Sequence, residues 1–89
     1  MAYGLFATHR GGWTVFEEIN AWVVSCDVDA REGRGSVELS KDPARALRFA
    51  TAAEALQYWQ RQSSVQPLRD DGKPNRPLTA YTCRVAPLT

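Results

Sequence analysis

The chain has 89 residues, of which 44% are hydrophobic and 24% charged, and its formal net charge is +1 at pH 7. This length predicts one domain with a single modest core, and the balanced charge excludes a strong overall field that would attract nucleic acid or an anionic membrane. No segment approaches the roughly 20 apolar residues that span a bilayer, and the N-terminus lacks the pattern of a secretory signal. We therefore expect a cytoplasmic protein that does not bind membranes.

Runs of apolar and aromatic residues predict an antiparallel sheet. The first two runs are separated by Gly11 and Gly12, a glycine pair typical of a hairpin. Apolar and polar residues then alternate around Trp22 and Cys26, as in a strand with one buried face. The predicted strands are residues 3–8, 13–16, 21–28, 36–40 and 78–86.

A helix is predicted after the fourth strand. Asp42 and Pro43 have the residue types that begin a short helical turn, and Thr51 with Glu54 has the spacing of a capping box. We expect the main helix to begin at Ala52 and to end at about residue 62, with Glu54, Gln57 and Arg61 in solvent. The side chains predicted to face the sheet are Ala52, Ala55, Leu56, Trp59 and Ser63.

Residues 63–77 contain three prolines and an Asp-Asp-Gly sequence, which predicts a long exposed connection. The whole chain, residues 1–89, is therefore predicted to be a single α+β domain. Its antiparallel sheet has four to five strands, with one main helix (about 52–62) packed on one face. Because an open sheet leaves unpaired edges, we also consider a homodimer.

Residue types that carry chemistry are sparse. His9 is the only histidine and lies at a predicted hairpin tip, while Cys26 and Cys83 lie on predicted core faces. Burial suppresses the reactivity of a thiol, and the spacing of these residues matches no zinc motif. We expect no catalytic residues, no metal site and no cofactor. An enzyme that uses a cysteine with His9 is the least favoured hypothesis.

Two sets of residues are candidates for binding a partner. Aromatic and arginine anchors dominate the energy of protein interfaces, and acidic strand ends can imitate phosphates. Glu17 and Glu18 would form such an acidic patch with Asp27 and Asp29 if the strands brought them together. The candidate protein-binding residues are Arg10, Trp13, Glu17, Glu18, Tyr58 and Arg69. Guanidinium groups beside glycines can instead bind phosphates, and the candidate nucleic-acid-binding residues are Arg31, Arg34, Arg45 and Arg48.

Residues 42–56 (DPARALRFATAAEAL) and 77–82 (PLTAYT) together resemble a pattern in small phage and prophage accessory proteins. The resemblance implies a miniature antiparallel sheet with one helix. Anti-CRISPR inhibitors are a functional class among such proteins, and they bind a host effector complex without chemistry. The resemblance thus favours a non-enzymatic inhibitor of a bacterial defence complex, such as a CRISPR effector, in the host cytoplasm. The alternative is a small nucleic-acid-binding accessory protein that uses the arginine loop.

Overall fold

The computed structural model describes residues 2–11 and 16–88, and its centre is a four-stranded antiparallel sheet. The strands are β1 (Ala2–Gly11), β2 (Phe16–Asp27), β3 (Ser36–Ser40) and β4 (Tyr81–Leu88). Their order across the sheet is β3-β2-β1-β4, so β4 lies beside the first strand of the chain. The predicted α+β fold with an antiparallel sheet and one main helix is confirmed.

The strand β2 is longer than the sequence pattern predicts. The chain passes from Phe16 to Asp27 in one strand, through Asn20 with a φ of 54°. Asparagine tolerates this left-handed backbone, so the strand can bend there without ending. The prediction of two separate strands, 13–16 and 21–28, was therefore wrong from residue 16 onward. Trp13 lies outside the described residues.

The main helix is Ala52–Trp59, and it begins where the capping box predicts. The Thr51 hydroxyl accepts a hydrogen bond from the Glu54 amide at 3.2 Å. The Glu54 carboxylate accepts from the amide of Ala50 at 3.1 Å, one residue before Thr51, whose own amide is the donor in a standard capping box. The helix ends earlier than residue 62 because Arg61 N–H bonds the carbonyl of Tyr58, which tightens the last turn. Across the described residues, no helix is both long and apolar enough to cross a membrane.

The face of the main helix that packs on the sheet contains the predicted Ala55 and Trp59, but it is shifted away from Ala52 and Leu56 toward Tyr58. Ala55 is fully buried, and Tyr58 and Trp59 pack on the core, whereas Ala52 is exposed and Leu56 is 46% exposed. Hydrogen bonds at the C-terminal end of the helix fix this rotation. The Tyr58 hydroxyl accepts from the Cys26 amide at 2.8 Å, and the Trp59 indole donates to the Tyr81 carbonyl at 3.1 Å.

The main helix covers one face of the sheet and not the other. On the face under the helix, a buried cluster forms the core; its members are Leu5, Ala7, Val23, Cys26, Val28, Ala55 and Leu78. On the other face, Phe6 lies opposite Trp22 on one side and Arg84 on the other. Paired residues of antiparallel strands share a face, so these three side chains lie together on the side without the main helix. We call this side the helix-free face.

The connection after the main helix is mostly exposed, as predicted, but it is anchored at both ends. Ser63 is 2% exposed although it lies outside the helix, and Leu78 is fully buried in a short 3-10 turn, Pro77–Ala80. The first anchor places the connection beside the loop between β2 and β3.

Candidate functional site

The loop between β2 and β3 carries Arg31 and Arg34 on an unusual backbone. Arg31 and Glu32 have φ values of 53° and 59°, and Gly33 follows with 89°. The turn is closed by a hydrogen bond from the Gly35 amide to the Ala30 carbonyl at 3.0 Å. Because non-glycine residues seldom adopt positive φ, other contacts must hold this loop in place.

Asp29 supplies one of these contacts. Its carboxylate accepts hydrogen bonds from the Ser64 amide at 2.7 Å, the Ser64 hydroxyl at 2.8 Å and the Ser63 hydroxyl at 3.0 Å. The Val65 amide also donates to it, at 3.3 Å. These bonds, with those from Ser64 the largest cause, lower the pKa of Asp29 to about 2. Asp29 thus anchors the long connection to the arginine-bearing loop.

Asn75 and two glycines supply the other contacts that hold the arginine-bearing loop in place. The Asn75 amide group donates to the Gly33 carbonyl at 2.6 Å and to the Gln66 carbonyl at 2.8 Å. A Cβ on Gly33 would overlap the Cβ of Gln66, and one on Gly35 would overlap Pro77. The backbone of the loop therefore packs directly against side chains of the connection, and only glycine fits at both positions.

This packing brings five arginines to one end of the molecule. We call this group the arginine end, and its members are Arg10, Arg31, Arg34, Arg69 and Arg76. They line three adjoining clefts of about 330, 190 and 250 Å³. Arg34 lines all three clefts, and so it is the centre of the group.

Positive charge predominates in the lining of these clefts. The lining of the three clefts contains five arginines and two acidic residues, Glu32 and Asp70. Arg69 pairs with Asp71 at 2.9 Å, and both side chains are about half exposed. Within the described part of the chain, Arg31, Arg34 and Arg76 have no ion-pair partner. Their charge is available to a ligand.

The four candidate nucleic-acid-binding arginines are not brought together. Arg31 and Arg34 precede β3, whereas Arg45 and Arg48 follow it, and the two ends of that five-residue strand lie roughly 14 Å apart. Arg45 also pairs with Glu38 at 2.8 Å. Sequence patterns do not mark Arg76 as a candidate or join Arg10 and Arg69 to Arg31 and Arg34, because these residues meet only through tertiary packing.

The candidate protein-binding residues are also dispersed. Tyr58 is not an exposed anchor, since its hydroxyl bonds Cys26 and its ring packs against Phe49 and the Arg61 guanidinium. Glu17 pairs with Arg10 and Glu18 with His9, so the two glutamates point to opposite faces of β2. The predicted acidic patch does not form, because Asp27 lies at the other end of that strand and Asp29 is the anchor described above. Arg10 and Arg69 belong to the arginine end.

The cysteines have the properties of core residues. Burial raises the pKa of Cys26, and it raises the pKa of Cys83 to about 11. His9 pairs with Thr82, which lies on the helix-free face with Arg84, whereas both cysteines pack with the core on the other face. This arrangement does not join His9 to either thiol.

In residues 2–11 and 16–88 there is no group of three or more histidine, cysteine or acidic side chains that could hold a metal ion.

No protein-family model matches the chain, and searches of curated proteins and of solved structures also found no match.

Proposed function

We propose that this protein is a small non-enzymatic binding protein whose arginine end binds the phosphate backbone of nucleic acid. The observation that carries the proposal is the set of five arginines around Arg34, which outnumber the carboxylates in the same clefts. Guanidinium groups form bidentate hydrogen bonds with phosphate oxygens, and they retain their charge at any physiological pH.

Two features favour an extended polyanion over a single small anion. The clefts adjoin one another through Arg34, so that successive phosphates of one strand could contact different arginines. The clefts also carry Tyr81, whose ring lies under the Arg10 guanidinium at 5.8 Å, and an aromatic ring suits a base between phosphates. Contacts of this type bind sequence-independently and depend steeply on salt.

The experiment is a titration of fluorescently labelled 20-nucleotide single-stranded DNA, single-stranded RNA and duplex DNA at several salt concentrations. We expect the logarithm of the binding constant to fall linearly with the logarithm of salt concentration. Arg34→Gln should weaken binding several-fold and reduce the magnitude of this slope by about 1, as for one lost phosphate contact.

The matched control is Arg45→Gln, which removes the same charge at the other end of β3. It should leave both affinity and slope close to those of the natural protein. If none of the three nucleic acids binds at low salt, or if the two variants weaken binding equally, the arginine end is not the site.

A second candidate function is the inhibition of a bacterial defence effector complex through protein contacts. The observation that favours it is the mixed charge around the arginine end, where Glu17 lies across from Arg10 and Asp71 pairs with Arg69. A surface with both signs of charge matches a protein partner better than it matches a phosphate polymer.

A pull-down of the tagged protein from bacterial lysate, with and without nuclease, separates the two functions. An inhibitor should recover a defined protein complex that resists both nuclease and a high-salt wash. A nucleic-acid-binding protein should recover material that both treatments remove.

A further inference from the structure

A second cleft lies away from the arginine end, beside the helix-free face. Its volume is about 490 Å³, within the usual range for small-molecule sites. We call it the Trp22 cleft, and it is lined by Trp22, Asp42, Pro43, Ala44, Arg48, Pro87 and Leu88. One aromatic ring, two prolines and a leucine share its walls with one cation and one anion, so the lining is partly apolar and partly polar.

The Trp22 ring is held by its neighbours. Phe6 contacts it edge to face, with ring centroids 5.1 Å apart and an interplanar angle of 75°. Its six-membered ring crosses the strand at Gly4, where a Cβ would lie 3.0 Å from Trp22 Cζ3 and 3.0 Å from Leu88 Cδ1. The indole is thus packed in one position, and a half-buried ring of this kind can stack with a planar ligand at little entropic cost.

The two charged residues of the cleft have groups available to a ligand. Arg48 is exposed and has no ion-pair partner among the residues described. The Asp42 carboxylate accepts from the Ala44 amide through Oδ1 at 2.9 Å, and Oδ2 receives no hydrogen bond from the described residues. The cleft therefore combines a stacking ring, an anion-binding guanidinium and a hydrogen-bond acceptor.

A nucleotide has all three complementary groups in one molecule. Its base is planar, the edge of the base carries N–H donors, and its phosphate is an anion. We propose that the Trp22 cleft binds a nucleotide, with the base against Trp22 and Asp42 and the phosphate against Arg48. The nucleotide is either free or part of a single strand. This site is independent of the arginine end, because the two lie at opposite ends of β3.

The experiment is an NMR titration that follows the indole N–H signal of Trp22, which is assigned by its loss in Trp22→Phe. The probes are AMP and GMP, with inorganic phosphate as a separate arm. We expect AMP or GMP to shift the Trp22 signal saturably. The Trp59 indole, which donates to the Tyr81 carbonyl under the main helix, should not move.

Arg48→Gln should weaken nucleotide binding about tenfold, as expected for a lost charge-assisted contact to phosphate. Arg45→Gln is the matched control, because Arg45 lies in the same segment but outside the lining of the cleft. Arg48 is exposed, so its replacement should leave the fold intact. Equal weakening by the two variants would overturn the proposal.

A tetranucleotide, measured in the Arg34→Gln variant, distinguishes the two sources of the ligand. If the tetranucleotide binds more tightly than AMP and produces the same shift at Trp22, the natural ligand of the cleft is a single strand. If the two bind equally, the natural ligand is a free nucleotide. If neither AMP nor GMP moves the Trp22 signal, or if inorganic phosphate alone produces the same shift, the cleft is not a nucleotide site. Because oligonucleotide binding to the arginine end is measured separately, each proposal can fail alone.

Discussion

At the scale of single residues, Gly33 and Gly72 illustrate two different reasons why a position requires glycine, which are the backbone conformation and the space for a side chain. Both have a left-handed backbone, with φ values of 89° and 82°. A Cβ on Gly33 would overlap Gln66, whereas a Cβ on Gly72 would have no heavy atom within 4 Å. Because Gly33 has no Cβ, the arginine-bearing loop can lie directly against the connection. Gly33 is therefore required both by its backbone conformation and by this close contact, whereas Gly72 is required only by its backbone conformation.

We therefore expect unequal costs from the same substitution. Gly72→Ala should destabilise the protein by about 1 kcal/mol, because alanine must adopt the left-handed conformation. Gly33→Ala should cost about 2–4 kcal/mol, since an overlap with Gln66 adds to that strain. Urea unfolding of both variants measures the difference, and equal costs would show that the contact with Gln66 relaxes freely.

Asp29 makes stability depend on pH in a known direction. Its pKa is about 2 in the folded protein against an ordinary value of 3.8, so folding favours the charged form. This contribution is complete above pH 4 or so, and it is lost as the pH falls through the folded pKa of about 2. Asp29→Asn should lower the melting temperature at neutral pH and flatten its dependence on pH in this window.

Thermal unfolding from pH 2 to pH 7 tests this expectation. Asp70→Asn is the control, because Asp70 lies in the same connection and its side chain makes no hydrogen bond within the described residues. If the melting temperature of Asp29→Asn changes with pH in the same way as that of the natural protein, Asp29 is not the anchor.

At the scale of elements, the main helix shows how tertiary contacts select one face of an amphipathic sequence. Its pattern allows two apolar faces that share Ala55 and Trp59, one extended toward Leu56 and the other toward Tyr58. Tyr58 is chosen because its hydroxyl bonds both the amide and the carbonyl of Cys26, next to the register shift in β2. Leu56 is left in solvent.

The different burial of Leu56, in the main helix, and Leu78, in the turn before β4, predicts different costs for truncating the two side chains. Leu56→Ala should cost less than about 1 kcal/mol, because this side chain is already 46% exposed. Leu78→Ala should cost about 2–5 kcal/mol, because Leu78 is fully buried and the truncation leaves a cavity. Chemical denaturation measures both values, and a large cost at Leu56 would mean that the helix packs through the other face.

At the scale of the whole molecule, the strand order places the two proposed binding surfaces at opposite ends of β3. The loop before β3 joins the connection after the main helix to form the arginine end, while the segment after β3 joins the end of β4 to form the Trp22 cleft. Arg34→Gln and Arg48→Gln in one protein should therefore combine additively in their effects on oligonucleotide and nucleotide binding.

The outer strands of the sheet, β3 and β4, are its two edges. Pro87 lies in β4 and cannot donate a backbone hydrogen bond, which weakens pairing with another copy at that point. A homodimer stays a prediction, and light scattering over a range of concentrations tests it.

The sequence by itself determined the elements that depend on neighbouring residues. The cap at Thr51 and the turn at Asp42 are short-range patterns, and each forms because the interacting groups lie within a few residues. The alternation of Trp22 with Cys26 predicts a strand there but not its faces, because the register shift between Val23 and Ser25 leaves Val23 in the core with Cys26 and Trp22 on the helix-free face. The tertiary structure alone decided which arginines meet, which helix face is buried and where the acidic residues point. These outcomes depend on contacts such as Asp29 with Ser64 and Tyr58 with Cys26, which join residues more than 30 positions apart.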